Sequence, residues 1–412
     1  MLRQIEGSRG VAEAVALARP EVICAYPISP QTHIVEALGV MVKRGTLSPC
    51  EFINVESEFA AMSVAIGASA TGARAYTATA SQGLLYMAEA VFNAAGLGLP
   101  IVMTVANRAI GAPINIWNDH SDSMALRDSG WIQLHAESNQ EALDLHVQAF
   151  RIAEALSLPV MVCMDGFILT HATEAVDVPT QAEVDDFLPP FVPRQVLDPD
   201  APVTIGAMVG PEAFMEVRYL AHLRHLEAIE RVADVSAAFA TRFGRRSGGL
   251  VTTDGVEGAD TIVVSIGSVL GTIRDAVDEL RDQGARVGVV GIGCYRPFPF
   301  EAVRAAAGAA RRVVVIEKSL APGTGGVVAT DVWTALSHTS GRRHSVIAGL
   351  GGRPITRRSI VSLLQRAAAD ELEPLTFLDL DEQVVQRELA RADHRLSRQR
   401  VETALAVTGG RS

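Results

Sequence analysis

Two glutamates, Glu56 and Glu58, stand at the head of a run, Phe59–Gly67, in which Ser63 is the only polar side chain. A carboxylate at the start of a helix is favoured by the helix dipole, and that alone accounts for either residue as a structural group. It does not account for the setting. The dozen residues after Glu58 are almost all Ala, Val, Met, Ile or Gly, so the helix is expected to be covered on most sides. A carboxyl group in such surroundings is suited to exchanging a proton with a bound heterocycle.

Other segments also carry chemically capable side chains. In YPISP, Tyr26–Pro30, Ser29 lies between a β-rich run and a helical one. That is the ligand position in open α/β sheets, and equally the position of a helix cap. TASQGLLYM, Thr79–Met87, is a second strand–turn–helix junction, and an ordinary capped helix start accounts for it. The stretch Asn107–Trp131, NRAIGAPINIWNDHSDSMALRDSGW, is a long polar loop after an apolar strand, a context that tends to be functional. Arg108 stands directly beyond the strand, placed to grip a carboxylate with a two-pronged hydrogen bond. Asp119, His120 and Asp122 read as hydrogen-bonded loop structure, because no distant motif supplies a further metal ligand. The glycine-rich turns IGSVLG, Ile266–Gly271, and GTGG, Gly323–Gly326, match neither the dinucleotide nor the P-loop pattern.

The elements that position these residues follow from periodicity. Short apolar runs at Glu21–Tyr26, Ala75–Ala80, Pro100–Ala106 and Pro159–Met164 read as buried strands. Helical stretches lie between them at Gly10–Ala18, Gln31–Arg44, Ser57–Thr71, Gly83–Leu97 and Asn139–Leu156. Alternation of this kind predicts a parallel sheet. A Pro- and Asp-rich surface connection from Val178 to Gly210 leads into a long amphipathic helix, Glu212–Phe243. A second α/β unit then has strands at Thr261–Gly267, Val287–Ile292 and Arg312–Glu317, with helices at Leu270–Gln283 and Phe300–Ala310. The expected organisation is a first domain over 1–180, a connection over 181–248, a smaller domain over 249–348 and a helical tail over 349–412.

Composition narrows the functional classes. The chain has 412 residues, too many for one growing core, and its 48% hydrophobic but only 5% aromatic content suits close-packed helices on parallel sheets. A net charge of −11 argues against a nucleic-acid or anionic-membrane surface. No apolar run reaches the length of a membrane span and the N-terminus lacks the apolar core of a signal peptide, so a cytoplasmic location is expected. Cys24, Cys50, Cys163 and Cys294 are scattered without a C-x-x-C pair, and read as buried thiols rather than ligands of zinc or an iron–sulfur cluster.

Taken together, YPISP, NVESEFAAMSVAIGAS, TASQGLLYM and NRAIGAPINIWNDHSDSMALRDSGWIQLHAESNQEALD resemble the α subunit of the pyruvate:ferredoxin oxidoreductase family of thiamine enzymes. GIGCYRPFP, VVVIEKSLAPGTGG and GLGGRPIT extend the likeness into the second domain. The resemblance implies an aminopyrimidine-binding thiamine diphosphate domain followed by a transketolase C-terminal-like domain. It implies that Glu58 is the catalytic and cofactor-binding residue, hydrogen-bonding N1′ of the aminopyrimidine, while Glu56 is structural. Ser29 stands where many members have threonine, a change that keeps the hydroxyl, and with Arg108 it would contact the substrate.

The same resemblance exposes what the chain lacks. It has no Gly-Asp-Gly motif for magnesium and diphosphate, since Asp165-Gly166 and Asp254-Gly255 have no preceding glycine. The implied partners are a β subunit bearing the diphosphate, Mg2+ and a [4Fe-4S] cluster, γ and ferredoxin-like δ subunits, and an external ferredoxin. The implied reaction is CoA-dependent oxidative decarboxylation of a 2-oxoacid, with pyruvate the default. Branched 2-oxoacids, phenylglyoxylate, NAD as acceptor and a noncatalytic assembly role are the alternatives.

Overall fold

The computed structural model describes residues 2–392. Of these, residues 2–376 form one compact unit and residues 377–392 belong to a second. The expected tail over 349–412 contains a helix at Arg357–Ala368, capped by Thr356, and its far end lies outside the described residues.

The first unit contains two large sheets. The strands are β1 (Leu2–Glu6), β2 (Val22–Ala25), β3 (Glu51–Asn54), β4 (Ala75–Thr79), β5 (Val102–Asn107), β6 (Ile132–His135), β7 (Val160–Asp165), β8 (Thr173–Asp177), β9 (Val251–Asp254), β10 (Thr261–Ser265), β11 (Val287–Ile292), β12 (Cys294–Arg296), β13 (Arg312–Glu317) and β14 (Arg342–Ile347). The first sheet runs β12-β6-β7-β5-β4-β2-β3, parallel throughout except for β12. Every residue of β4, β5, β6 and β7 is buried, as expected for strands covered by helices on both faces. In the second sheet β14, β13, β10 and β11 pair in parallel and β9 closes one edge antiparallel.

Local chemistry explains the helices that matter here. Ser57 caps the helix Glu58–Ala70 by accepting from Ala60 N, and Ser138 caps Asn139–Leu156 by accepting from Glu141 N. The 30-residue helix Phe214–Phe243 buries Ala228, Val232, Val235 and Phe239, a spacing that draws one stripe of its second half onto the core beneath β5–β7. It stops where Gly244 takes a left-handed conformation, φ 69°.

The structure departs from the periodicity at several places. The helix expected over Gly83–Leu97 is two helices, Ser81–Tyr86 and Ala88–Gly96, separated at Met87. The connection Val178–Gly210 includes a helix, Gln181–Phe187, with a capping box between Thr180 and Glu183. The helix Glu58–Ala70 buries only the face bearing Ala61, Met62, Ala65 and Ser69, while Phe59 on its other side is exposed, so the expected cover on most sides is absent within this chain. Among the described residues no helix is long and apolar enough to cross a membrane.

The sheets are joined at their carboxyl ends. Asp165, the last residue of β7, accepts from His120 Nε2 at 2.6 Å, from Lys318 Nζ at 2.7 Å and from Ser268. Lys318 follows β13 and Ser268 follows β10, so this one carboxylate binds the second sheet to the first. Burial alone would push its pKa up, but Lys318 and His120 hold it well below the usual carboxylate range. β12 strengthens the joint by leaving the second sheet's chain path and pairing with β6.

A carboxyl with a depressed folded pKa contributes stability above its unfolded value of about 3.9 and loses it as pH falls through the folded value. Asp165→Asn, which strands a buried ammonium, should therefore lower the unfolding free energy at pH 7 by about 3–5 kcal/mol in urea titration. The gap between variant and parent should hold from pH 8 to 5 and narrow only in more acid solution. A gap that closed between pH 8 and 6 would contradict this assignment.

Candidate active site

Four neighbouring parallel strands, β5-β4-β2-β3, end on the same edge of the first sheet, and the chain leaving each contributes to one site. Ligands collect on this edge in open α/β folds because chain reversals there leave a crevice.

After β2, the segment Tyr26–Pro30 presents Ser29 at the surface, with a cis Ser29–Pro30 peptide. Ser29 does not cap the following helix. That position belongs to Gln31, whose side chain is buried and donates through Nε2 to Tyr26 O at 3.0 Å and Ala78 O at 2.7 Å. Gln31 thereby ties the ends of β2 and β4 together.

After β4, the chain turns at Ser81, which has a left-handed φ of 50°, and enters the helix carrying Gly83. A Cβ on Gly83 would lie 2.5 Å from Glu58 Oε1 and 2.6 Å from Thr79 Oγ1. Only glycine permits the Glu58 carboxylate to lie against this helix. Glu58 is 7% exposed, and among the described residues no cation or hydrogen-bond donor is paired with its side chain. Thr79 Oγ1 and Gln31 Oε1 are likewise buried without partners. Buried polar groups are normally satisfied, so the two unsatisfied oxygens of Glu58 and Thr79 beside one glycine mark a place for a group that brings its own donors.

After β5, Arg108 is 7% exposed and held on three sides. Its backbone N donates to Asp122 Oδ2 at 3.0 Å, its Nε to Asn115 O at 3.1 Å and its Nη1 to Ser29 O at 3.0 Å. Burial lowers its pKa from the ordinary value while Asp122 opposes the shift. Among the described residues no protein acceptor is paired with Nη2, which leaves one arm of the guanidinium for an anion. Ser29 and Arg108, far apart in sequence, are thus joined directly.

Asp119, His120 and Asp122 point to different partners: Asp119 to Ser121 and Gly351, His120 to Asp165, and Asp122 to Ser81, Arg108, Asn107 and Ser123. The fully buried Asp122 is the residue that sequence reasoning left as ordinary loop structure and that the site most depends on. Burial pushes its carboxyl up, and the donors from Asn107, Ser81, Arg108 and Ser123 oppose this. Nothing in its local sequence announces that role, because Ser81 joins it only through the fold. Among the described residues no group of three or more His, Cys, Asp or Glu side chains is arranged to hold a metal ion. All four cysteines are free; Cys24, Cys163 and Cys294 are buried as expected but Cys50 only partly so, and burial raises Cys24 and Cys50 to about 11 and Cys294 to about 12, away from the reactive thiolate.

Comparisons with known proteins place the chain in a family. Residues 13–237 match the family model for the thiamine diphosphate-binding part of pyruvate flavodoxin/ferredoxin oxidoreductase, and residues 259–360 match core domain II of pyruvate:ferredoxin oxidoreductase. The chain is 45% identical to pyruvate synthase subunit PorA of Methanosarcina barkeri, over 92% of its own length and 97% of that protein. It is 39% identical to ketoisovalerate oxidoreductase subunit VorA of Pyrococcus horikoshii, over 88% and 92%. Its fold is similar to that of the 2-oxoglutarate:ferredoxin oxidoreductase of Magnetococcus marinus, with a TM-score of 0.70 at 20% identity over 90% of this chain; it spans 65% of that longer chain. With two family models matched in order and near-complete coverage of the curated relatives, the chain belongs to the pyruvate:ferredoxin oxidoreductase family, as an alpha subunit of the pyruvate synthase type.

Proposed function

We propose that this chain handles the proton and the substrate carboxylate in a multi-subunit enzyme that converts a 2-oxoacid and CoA to an acyl-CoA and CO2, passing the electron pair to ferredoxin. The observation that carries this reading is the unpaired, buried Glu58 carboxylate against Gly83, on the same sheet edge as the half-satisfied Arg108. Thiamine diphosphate, when bound, supplies the carbon nucleophile for the 2-oxo group and a sink for the electrons released with CO2. In the cradle beside Gly83, Glu58 would hold the aminopyrimidine by sharing a proton at N1′, and Thr79 Oγ1 would accept from another donor of the ring. Arg108 Nη2 holds the 2-oxoacid carboxylate. Ser29, fixed to Arg108 through its carbonyl, offers its hydroxyl to the same carboxylate or to the 2-oxo group.

The remaining parts belong to partners. The diphosphate, Mg2+ and a [4Fe-4S] cluster fit a β subunit, since this chain has no Gly-Asp-Gly motif and its four cysteines are scattered without a C-x-x-C pair. Exposed Phe59, Leu85, Tyr86 and Phe92 on adjoining helices beside the cradle support a protein cover there. The γ and δ subunits would relay electrons to external ferredoxin. Free cysteines suit a reducing, cytoplasmic setting. Pyruvate is favoured as substrate by the PorA relatives, at 45% identity against 39% for VorA. A CoA-bound enzyme of similar fold supports CoA as co-substrate.

In the assembled complex, Glu58→Gln should cut kcat for viologen reduction by about a hundredfold or more, because an amide cannot exchange the proton. Full activity would favour a purely scaffolding chain. Arg108→Ala should raise KM for pyruvate at least tenfold with a smaller change in kcat, the loss of a charge-assisted pair being about 1.5–3 kcal/mol; an unchanged kcat/KM would remove it from the site. Gly83→Ala should weaken thiamine diphosphate binding at least tenfold in calorimetric titration of cofactor-free complex, since its methyl group displaces the Glu58 carboxylate. Parent-like affinity would argue against the cradle.

A further inference from the structure

We propose that the turn Gly349–Gly352 of the second domain is a clamp that fixes the loop presenting Arg108, so that a domain touching no reacting atom sets the affinity for the 2-oxoacid. The proposal rests on Arg108 being the carboxylate-binding group. The turn follows β14 and lies within GLGGRPIT, a motif to which the chemistry above gives no role.

Gly351 exchanges hydrogen bonds with both ends of the loop's tip. Its carbonyl accepts from Asn115 Nδ2 at 3.1 Å, and its N donates to Asp119 Oδ2 at 3.1 Å. Asn115 passes the constraint inward. Its Oδ1 accepts from Trp117 N at 2.7 Å, and its main-chain carbonyl accepts from Arg108 Nε at 3.1 Å. Asp119 passes it along the other limb, where Oδ1 accepts from Ser121 N at 2.9 Å and Ser121 Oγ accepts from Ile110 N at 3.1 Å. The loop closes on itself through Ala109 N to Trp117 O at 3.0 Å. One residue of the second domain thus ties down Asn115, which supports the arginine directly, and Asp119 on the other limb of the same loop.

The approach is too close for a side chain. A Cβ on Gly351 would lie 2.5 Å from Asn115 Nδ2, and one on Gly352 would lie 2.4 Å from Trp117 Cβ. Both residues also have left-handed φ values, 60° and 81°. A backbone this tightly fitted transmits displacement: moving Gly351 moves the Asn115 carbonyl, and with it the direction of the guanidinium. An arginine that must be reoriented on binding loses affinity to the ordering cost, which a fixed loop avoids.

The test uses the assembled complex, with calorimetric titration of oxamate, an unreactive pyruvate isostere, alongside steady-state kinetics. Gly351→Ala should weaken oxamate binding and raise KM for pyruvate about tenfold, with kcat at saturation within about threefold of the parent. Asp119→Asn, which turns an amide against Gly351 N without adding bulk, should shift both constants in the same direction and carries the test if Gly351→Ala fails to assemble. In an Arg108→Ala background neither change should weaken oxamate binding further, because the clamp acts through that side chain. Oxamate affinity and KM unchanged within twofold in both variants would overturn the clamp, as would an equal further loss in the Arg108→Ala background. If Arg108→Ala itself binds oxamate as the parent does, the role of Arg108 fails and the clamp's purpose with it. A weakened Arg108→Ala beside unaffected clamp variants sinks the clamp alone.

Discussion

A carboxylate taken out of water must be given donors or a counter-charge, and two buried carboxylates meet that demand with groups drawn from distant parts of the chain. Asp122 collects the N–H groups of Ser81, Arg108 and Ser123 together with Asn107 Nδ2. Asp165 collects Lys318, His120 and Ser268. Leaving either unsupplied costs several kcal/mol, so these two carboxylates hold the strand ends, the turn after β4 and the second sheet in place. A third, Glu317 at the end of β13, accepts from Val327, Val328 and Ala329 and binds the glycine-rich turn to its own sheet.

Function follows from what these carboxylates leave unsatisfied. With Asp122 fully engaged by backbone donors and one amide, the Arg108 guanidinium keeps its positive charge for a ligand instead of spending it on the nearest aspartate. Lys318 is committed to Asp165, and among the described residues no cation is paired with Glu58. The site therefore presents one guanidinium nitrogen and one buried carboxyl that, among the described residues, have no protein partner. Preorganisation of this kind lets the protein bind and orient a reactant without reorganising at the moment of reaction.

Features set by short-range chemistry were legible in the sequence. Runs such as Val287–Ile292 and Arg312–Glu317 are apolar because parallel strands are covered on both faces, and they appear as strands with those bounds. The Asn139–Leu156 helix was equally plain. What escaped reading depends on pairing across the chain: β6 and β12 are short and take their identity from each other, and β1 exists because β8 lies beside it. The site divides in the same way. Glu58 stood out because its neighbours are apolar, and Arg108 because it follows a strand. Asp122, Gly83, Gln31 and Gly351 carry no local mark, since each matters through a contact with a residue that only the fold brings near.

Proton exchange at C2 of thiamine diphosphate bound to the assembled complex, followed by mixing with deuterated buffer and quenching in acid, asks most directly whether the Glu58 carboxyl drives proton removal. The parent complex should exchange within its catalytic turnover time, and the Glu58→Gln complex, loaded with cofactor to the same occupancy, should exchange about a hundredfold more slowly or worse. Exchange at the parent rate in the Glu58→Gln complex would contradict the role assigned to this carboxyl.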